Sequence, residues 1–225
     1  MARRVGPSGI TSRRTHRPRG RCTRGVRLYV ESNFALELAL RQEHHQACEE
    51  ILSFCETRDE TVVFPAFCVL EAHYALVEKR RRRTHFKKDF DAERTQLLRS
   101  SRYKDRARHL DAVSRFLIAS VEEEDRDFRA VIERLLRAAR LMPLDLEVLR
   151  FAATLRDSFD LELPDSIVLA SVLGDLEASS GASCFVTRDK KDFVNPGIQA
   201  LLAAKDCKAL FDFEHGRDYL LGRNA

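Results

Sequence analysis

The sequence predicts an α/β protein: a three-layer α/β/α domain with a central parallel sheet and a long helical insertion. Three observations predict it. Short apolar runs at 26–30, 61–64, 183–186 and 209–211 have the length and content of buried strands. Stretches with helical apolar spacing stand between most of them, and strands that alternate with helices pack as a parallel sheet covered on both faces. From about 78 to 140 the chain contains neither Gly nor Pro and reads as helix throughout.

The first strand, 26–30, ends at an acid, Glu31, and Asn33 is placed as the N-cap of a helix over 34–40. Ala47, Ile51, Leu52 and Phe54 recur at helical spacing within 43–55. The run 61–64 is a second strand, and Pro65 sits where a helix begins. That helix covers 66–77 and continues toward 79–83. Within 78–140 apolar positions are sparse at first (Phe86, Phe90, Leu97, Leu98) and denser later (Val113, Phe116, Leu117, Ile118, Val121). Two long helices projecting from a core produce this pattern. After Pro143 come a helix at 145–157 and another that opens at Leu163-Pro164-Asp165 and runs to about 178. A strand at 183–186, a short helix at 197–203 and a last strand at 209–211 follow.

At 225 residues the chain suits one packed domain with an insertion, or two small ones. Its 44% hydrophobic and 33% charged content describes a globular protein with a heavily charged surface. No apolar run approaches the roughly 18–20 residues of a membrane span. The six cysteines show neither zinc-type pairing nor the density of a disulfide framework. Cys68 and Cys184 read as small core hydrophobes, and the thiols as reduced ones in a cytoplasmic protein. Residues 1–25 hold eight arginines and no acid, a composition that predicts a disordered basic leader without the apolar stretch of a secretory signal. Taking those eight charges from the net +4 leaves the remainder mildly acidic. The leader reads either as an arm that adds salt-sensitive affinity for nucleic acid or as a passenger before a single domain spanning 26–225.

Four acids carry the chemistry: Glu31 after Leu28-Tyr29-Val30, Glu71 after Phe67-Cys68-Val69-Leu70, Asp165 in Leu163-Pro164-Asp165-Ser166, and Asp189 after Phe185-Val186-Thr187-Arg188. Each lies beside apolar residues, so each carboxylate is held next to a core element. Taken singly, such an acid is a helix N-cap or a solvated loop residue. Brought together, several carboxylates cannot all stay ionised without a cation between them. Oxygen-only sites of this kind suit Mg²⁺ or Mn²⁺ and point to metal-dependent phosphate chemistry.

In order and context these segments resemble the PIN-domain ribonucleases, a fold shared by toxin endonucleases and RNA-processing nucleases. The matching stretches are Tyr29-Val30-Glu31-Ser32-Asn33, Val69-Leu70-Glu71, Leu163-Pro164-Asp165-Ser166-Ile167-Val168-Leu169-Ala170 and Val186-Thr187-Arg188-Asp189-Lys190-Lys191-Asp192-Phe193. The resemblance covers about 26–77 and 142–213 and makes 78–140 the insertion. It implies an endoribonuclease in which Glu31, Glu71, Asp165 and Asp189 converge at the C-terminal edge of the sheet and hold one or two Mg²⁺ or Mn²⁺ ions. Asp165 and Asp189 are implied as ligands, Glu31 as a ligand or a water-orienting group, and Glu71 as a group for a second ion or its water. Asn33 and Thr187 position the carboxylates by hydrogen bonds. Asp192 is a supporting candidate or simply holds its loop. The resemblance implies RNA as substrate, and its toxin branch adds an inhibitory antitoxin partner and a homodimer as options; the lack of a long apolar run implies no membrane. One departure is Glu31, where the family usually has Asp; a carboxylate one methylene further out shifts the ion's position. The rival reading is a degenerate PIN-like RNA-binding or scaffold protein. A phosphatase of another α/β fold is disfavoured, because no Asp-x-Asp follows the first strand.

The basic run Arg80, Arg81, Arg82, Arg83 with Lys87 and Lys88 reads either as an RNA-binding patch or as a solvated helix face paired with Asp89, Asp91 and Glu93. His44 and His45 are expected to be exposed, and the acidic run 122–125 to be solvated. Glu37, one turn beyond Asn33, either faces the site or forms a surface salt bridge.

Overall fold

The computed structural model describes residues 26–57 and 62–222; the expected leader at 1–25 and Thr61 lie outside them. Strand β1 (Arg27–Val30) is followed by helices α1 (Ser32–Leu40) and α2 (His45–Glu56), then β2 (Val62–Pro65). Helix α3 (Ala66–Arg99), the short α4 (Lys104–Ala107) and α5 (Leu110–Ala138) lead to β3 (Arg140–Met142). Helices α6 (Leu146–Phe159) and α7 (Leu163–Ala178) precede β4 (Ser183–Val186). The chain then forms α8 (Lys190–Phe193), α9 (Pro196–Ala203), β5 (Cys207–Leu210) and α10 (Phe213–Leu220).

All five strands are parallel, in the order β3-β2-β1-β4-β5. Each residue of β4 and three of the four in β1 are buried, as a sheet covered on both faces requires. Right-handed crossovers then assign the layers. The path β1→β2→β3 moves one way and sets α1, α2, α3 and α5 on one face, where α10 packs against α2. The path β3→β4→β5 returns and sets α6, α7 and α9 on the other, where Phe159 of α6 meets Gly197 of α9. The expected three-layer fold is therefore present. Its direction of winding reverses between β1 and β4, and open α/β sheets bind ligands outside the carboxyl ends of strands at such a reversal.

Four local expectations are corrected. Asn33 does not cap α1. Glu31 does, its side chain accepting the Asn33 N–H, so the helix begins one residue after the strand. Strand β3, unanticipated at 140–142, is short and opens with an arginine, which hides it from pattern reading. The last strand lies at Cys207–Leu210, two residues earlier than expected, and α8 and α10 close the chain as further helices. The helical stretch is peripheral in part: Phe128, Val131 and Leu135 of α5 belong to the central core. No helix among the described residues is long and apolar enough to cross a membrane.

Candidate active site

The carboxyl ends of β1 and β4 lie side by side, with Val30 opposite Val186. Both strands run straight into acidic segments. Glu31 follows β1 and is only 5% exposed. Four donors hold its carboxylate: Asn33 Nδ2 at 2.8 Å and Thr187 Oγ1 at 3.1 Å on Oε1, and Ser32 Oγ at 3.1 Å and the Asn33 N–H at 3.3 Å on Oε2. Burial nevertheless raises its pKa, and those bonds only partly oppose the rise.

Thr187, fully buried at the end of β4, couples the two acidic segments. Its hydroxyl donates to Glu31 and accepts the N–H of Asp189 at 2.8 Å. Asp189 caps α8 by accepting the Asp192 N–H at 3.2 Å, which brings Asp192 around to the same side. Asp165 arrives from the opposite layer on the first turn of α7, where Pro164 at the start of the helix pre-sets the backbone. One carboxylate oxygen from each of Asp165, Asp189 and Asp192 lies within 4.8 Å of the other two. Burial first, then the charges of Asp192, Asp189, Glu71 and Glu31, push Asp165 up to about 7. Asp192 is raised by burial and by Asp189. Glu71, on the second turn of α3, is raised by burial and by Glu31 and Asp189, with a hydrogen bond from Ser32 opposing.

The structure thus brings all four expected acids to one sheet edge but ranks them differently. The tight cluster is Asp165, Asp189 and Asp192, with Glu31 and Glu71 acting on it through their charge. Asp192, read from sequence only as a support, is a full member; its position three residues after a helix-capping Asp is the signal that placed it within reach. Asn33 and Thr187 both bond Glu31. The donors are all carboxylate oxygens, with no imidazole or thiolate, which fits a hard divalent ion such as Mg²⁺ or Mn²⁺. Burial first and the neighbouring carboxylates second raise Asp165 to about 7, and a cation bound among these oxygens would oppose that rise.

Glu37 is neither a site ligand nor a surface residue. It is 2% exposed and binds Arg188 Nη1 at 2.6 Å and the His44 N–H at 3.0 Å, which ties the 187–189 turn to α1. His44 and His45 are half-buried, correcting the expectation of exposure, and His44 Nδ1 lies 2.5 Å from Glu214. The basic run divides. Arg83 turns toward α5, bonding Ser120 and Glu124 at 2.9 Å each, and Lys87 pairs with Asp91 on its own helix. Arg80, Arg81, Arg82 and Lys88 are exposed. In the acidic run, Glu122 and Glu123 are exposed, whereas Glu124 is engaged by Arg83 and Asp125 by Arg129.

The model of a family described as PIN domain matches residues 28–193, well over half of the chain. No curated protein and no solved structure gives a match.

Proposed function

The chain belongs to the PIN-domain family, whose members are generally nucleases and typically use a divalent metal, and from that premise we propose that it is a Mg²⁺- or Mn²⁺-dependent endoribonuclease. The observation that carries this reading is the Asp165–Asp189–Asp192 cluster, three carboxylates within 4.8 Å at the point where the sheet reverses its winding. Glu31 and Glu71 border it, so five acids converge, with Lys191, 3.8 Å from Asp192, as a nearby cation. A divalent ion held there supplies activation of a water and neutralisation of phosphate charge.

The chain's own residues then have distinct tasks. Asp165, Asp189 and Asp192 bind the ion. Glu31, fixed by four donors, keeps one carboxylate orientation and is placed to hold a proton or a second ion's water. Thr187 keeps Glu31 and Asp189 in register, since one hydroxyl serves both. Glu71 adds charge on the α3 side, where a second ion is favoured. Glutamate at position 31 is accommodated by these bonds, which favours activity over the degenerate alternative. Buried free thiols at Cys48, Cys55, Cys68, Cys184 and Cys207 fit a reducing compartment such as the cytoplasm. A toxin role, with an antitoxin partner and a homodimer, rests on the resemblance to toxin members.

The test is cleavage of a mixed RNA pool with Mn²⁺ or Mg²⁺, comparing wild type, Asp165→Asn and wild type with EDTA. Cutting confined to metal-loaded wild type is expected. A silent wild type that still binds Mn²⁺ would transfer the protein to the RNA-binding or scaffold class.

A further inference from the structure

A groove of about 520 Å³ runs between α1 and α3. At one end is Asn33, whose side-chain amide holds Glu31; at the other are Lys79 and Arg82; Leu36, Leu40 and Leu76 line it between them. Positions 71, 75, 78 and 82 follow one another at helical spacing, so the groove continues along α3 the face that presents Glu71. Arg82 stands about 16 Å along the helix axis from that acid.

We infer that this groove is a subsite for the substrate strand flanking the scissile phosphate, with Arg82 and Lys79 holding a phosphate a few nucleotides along that strand; the inference rests on the nuclease reading above. The charges favour it. Within the basic run, Arg81 lies 3.5 Å from Glu78, and Arg83 is committed to Glu124 and Ser120. Arg82 has no ion-pair partner among the described residues, and Lys79 has only a 3.8 Å approach to Glu124. Glu78, the one acid in the groove wall, is faced by Arg81. The volume lies within the range of small-ligand sites. Leu36, Leu40 and Leu76 form its apolar part beside the polar Gln42, and none of the lining residues is aromatic, so a base held there has no stacking partner. The ligand is thus a single-stranded polynucleotide passing from the carboxylates outward over Arg82.

The test measures binding of a labelled single-stranded RNA to Asp165→Asn protein across a salt series. Adding Arg82→Ala is expected to weaken binding roughly tenfold and to reduce the salt slope by about 0.7, one phosphate contact on a single strand. Lys79→Ala acts in the same direction, and Ala75→Glu, which puts a negative charge into the groove, weakens binding further. Arg106→Ala and Ala112→Glu, matched charge changes at exposed positions elsewhere on the helical hairpin, leave it unchanged. Unaltered melting and Mn²⁺ affinity in Arg82→Ala and in Arg82→Gln establish that folding is intact. If wild type cleaves RNA while the Arg82, Lys79 and Ala75 variants bind like their parent, the subsite is wrong and the nuclease reading stands. If wild type neither binds nor cleaves RNA, the nuclease reading falls and takes the subsite with it.

Discussion

Asp165 sits on the first turn of a helix, where the macrodipole favours a carboxylate by ~0.3–1 kcal/mol. One pKa unit corresponds to ~1.4 kcal/mol, so that contribution cannot offset a rise from 3.8 to about 7. Burial and the neighbouring carboxylates win. Because the folded state holds this proton more tightly than the unfolded chain, the stability it contributes is complete below about pH 4. It is lost as pH rises toward 7. Glu31, Glu71 and Asp192 are raised as well and act in the same direction. The metal-free protein is therefore expected to melt at falling temperature from pH 5 to pH 8. Asp165→Asn should show a shallower decline and stand roughly 2–6 °C above wild type at pH 8. Excess Mn²⁺ should raise wild type by mass action and the variant little. Thermal melts across pH, with and without Mn²⁺, check this; parallel curves for both proteins would disprove that Asp165 carries the strain.

At the scale of elements, α7 must be held in register for Asp165 to meet the acids of β4. Asp175, ten residues further along that helix, supplies the hold. It accepts Tyr29 Oη of β1 at 2.7 Å and both terminal nitrogens of Arg140 of β3 at 2.8 and 2.6 Å. Burial pushes its pKa up, but the bonds from Arg140 and Tyr29 and the charge of Arg140 leave it below the usual range. This carboxylate thus stabilises the fold above about pH 4 and stops doing so as pH falls through its lowered pKa. Asp175→Asn removes charge from a bidentate pair that is mostly shielded from water. The expected loss is about 2–3 kcal/mol, below the full value for a deeply buried pair because Arg140 is partly exposed. Denaturant unfolding measures it, and a loss under 0.5 kcal/mol would show that packing alone seats α7. This contact also marks where sequence reading stops. Strands β1, β2 and β4 and the acids after them are legible because apolar runs and their neighbours are local signals. Arg140, in a three-residue strand, and Asp175, on a largely apolar helix, gain meaning only by meeting. Glu37 is similar: its burial depends on Arg188, which arrives from 151 positions away. Asp192 was legible as a residue but not as an equal, since its role depends on the turn made by α8.

For the molecule as a whole, the long helical stretch is two things joined end to end. Near the sheet, α3 buries Cys68, Ala72 and Leu76, and α5 buries Phe128, Val131 and Leu135. Arg134 fastens the same part of α5 to α2, bonding Glu49 at 2.6 and 2.9 Å and Glu56 at 2.8 Å. Beyond the Arg83–Glu124 pair the hairpin is held mainly by surface contacts such as Arg94–Asp111, and Ala107 and Ser114 are its few buried residues. Exposed ion pairs contribute about 0–1 kcal/mol each, whereas losing a large core side chain costs about 2–5. Replacing residues 88–115 by a short Gly/Ser turn is therefore expected to leave a folded protein with Mn²⁺ affinity unchanged and melting within about 4 °C of wild type. Replacing all of 78–140 removes Phe128, Val131, Leu135 and the first residue of β3. Three such losses approach the whole stability of a domain, about 5–15 kcal/mol, so that protein should not fold. Circular dichroism melts of the two deletions decide it. A folded long deletion would mean that the core closes without α5, and an unfolded short one that the distal hairpin is structural after all.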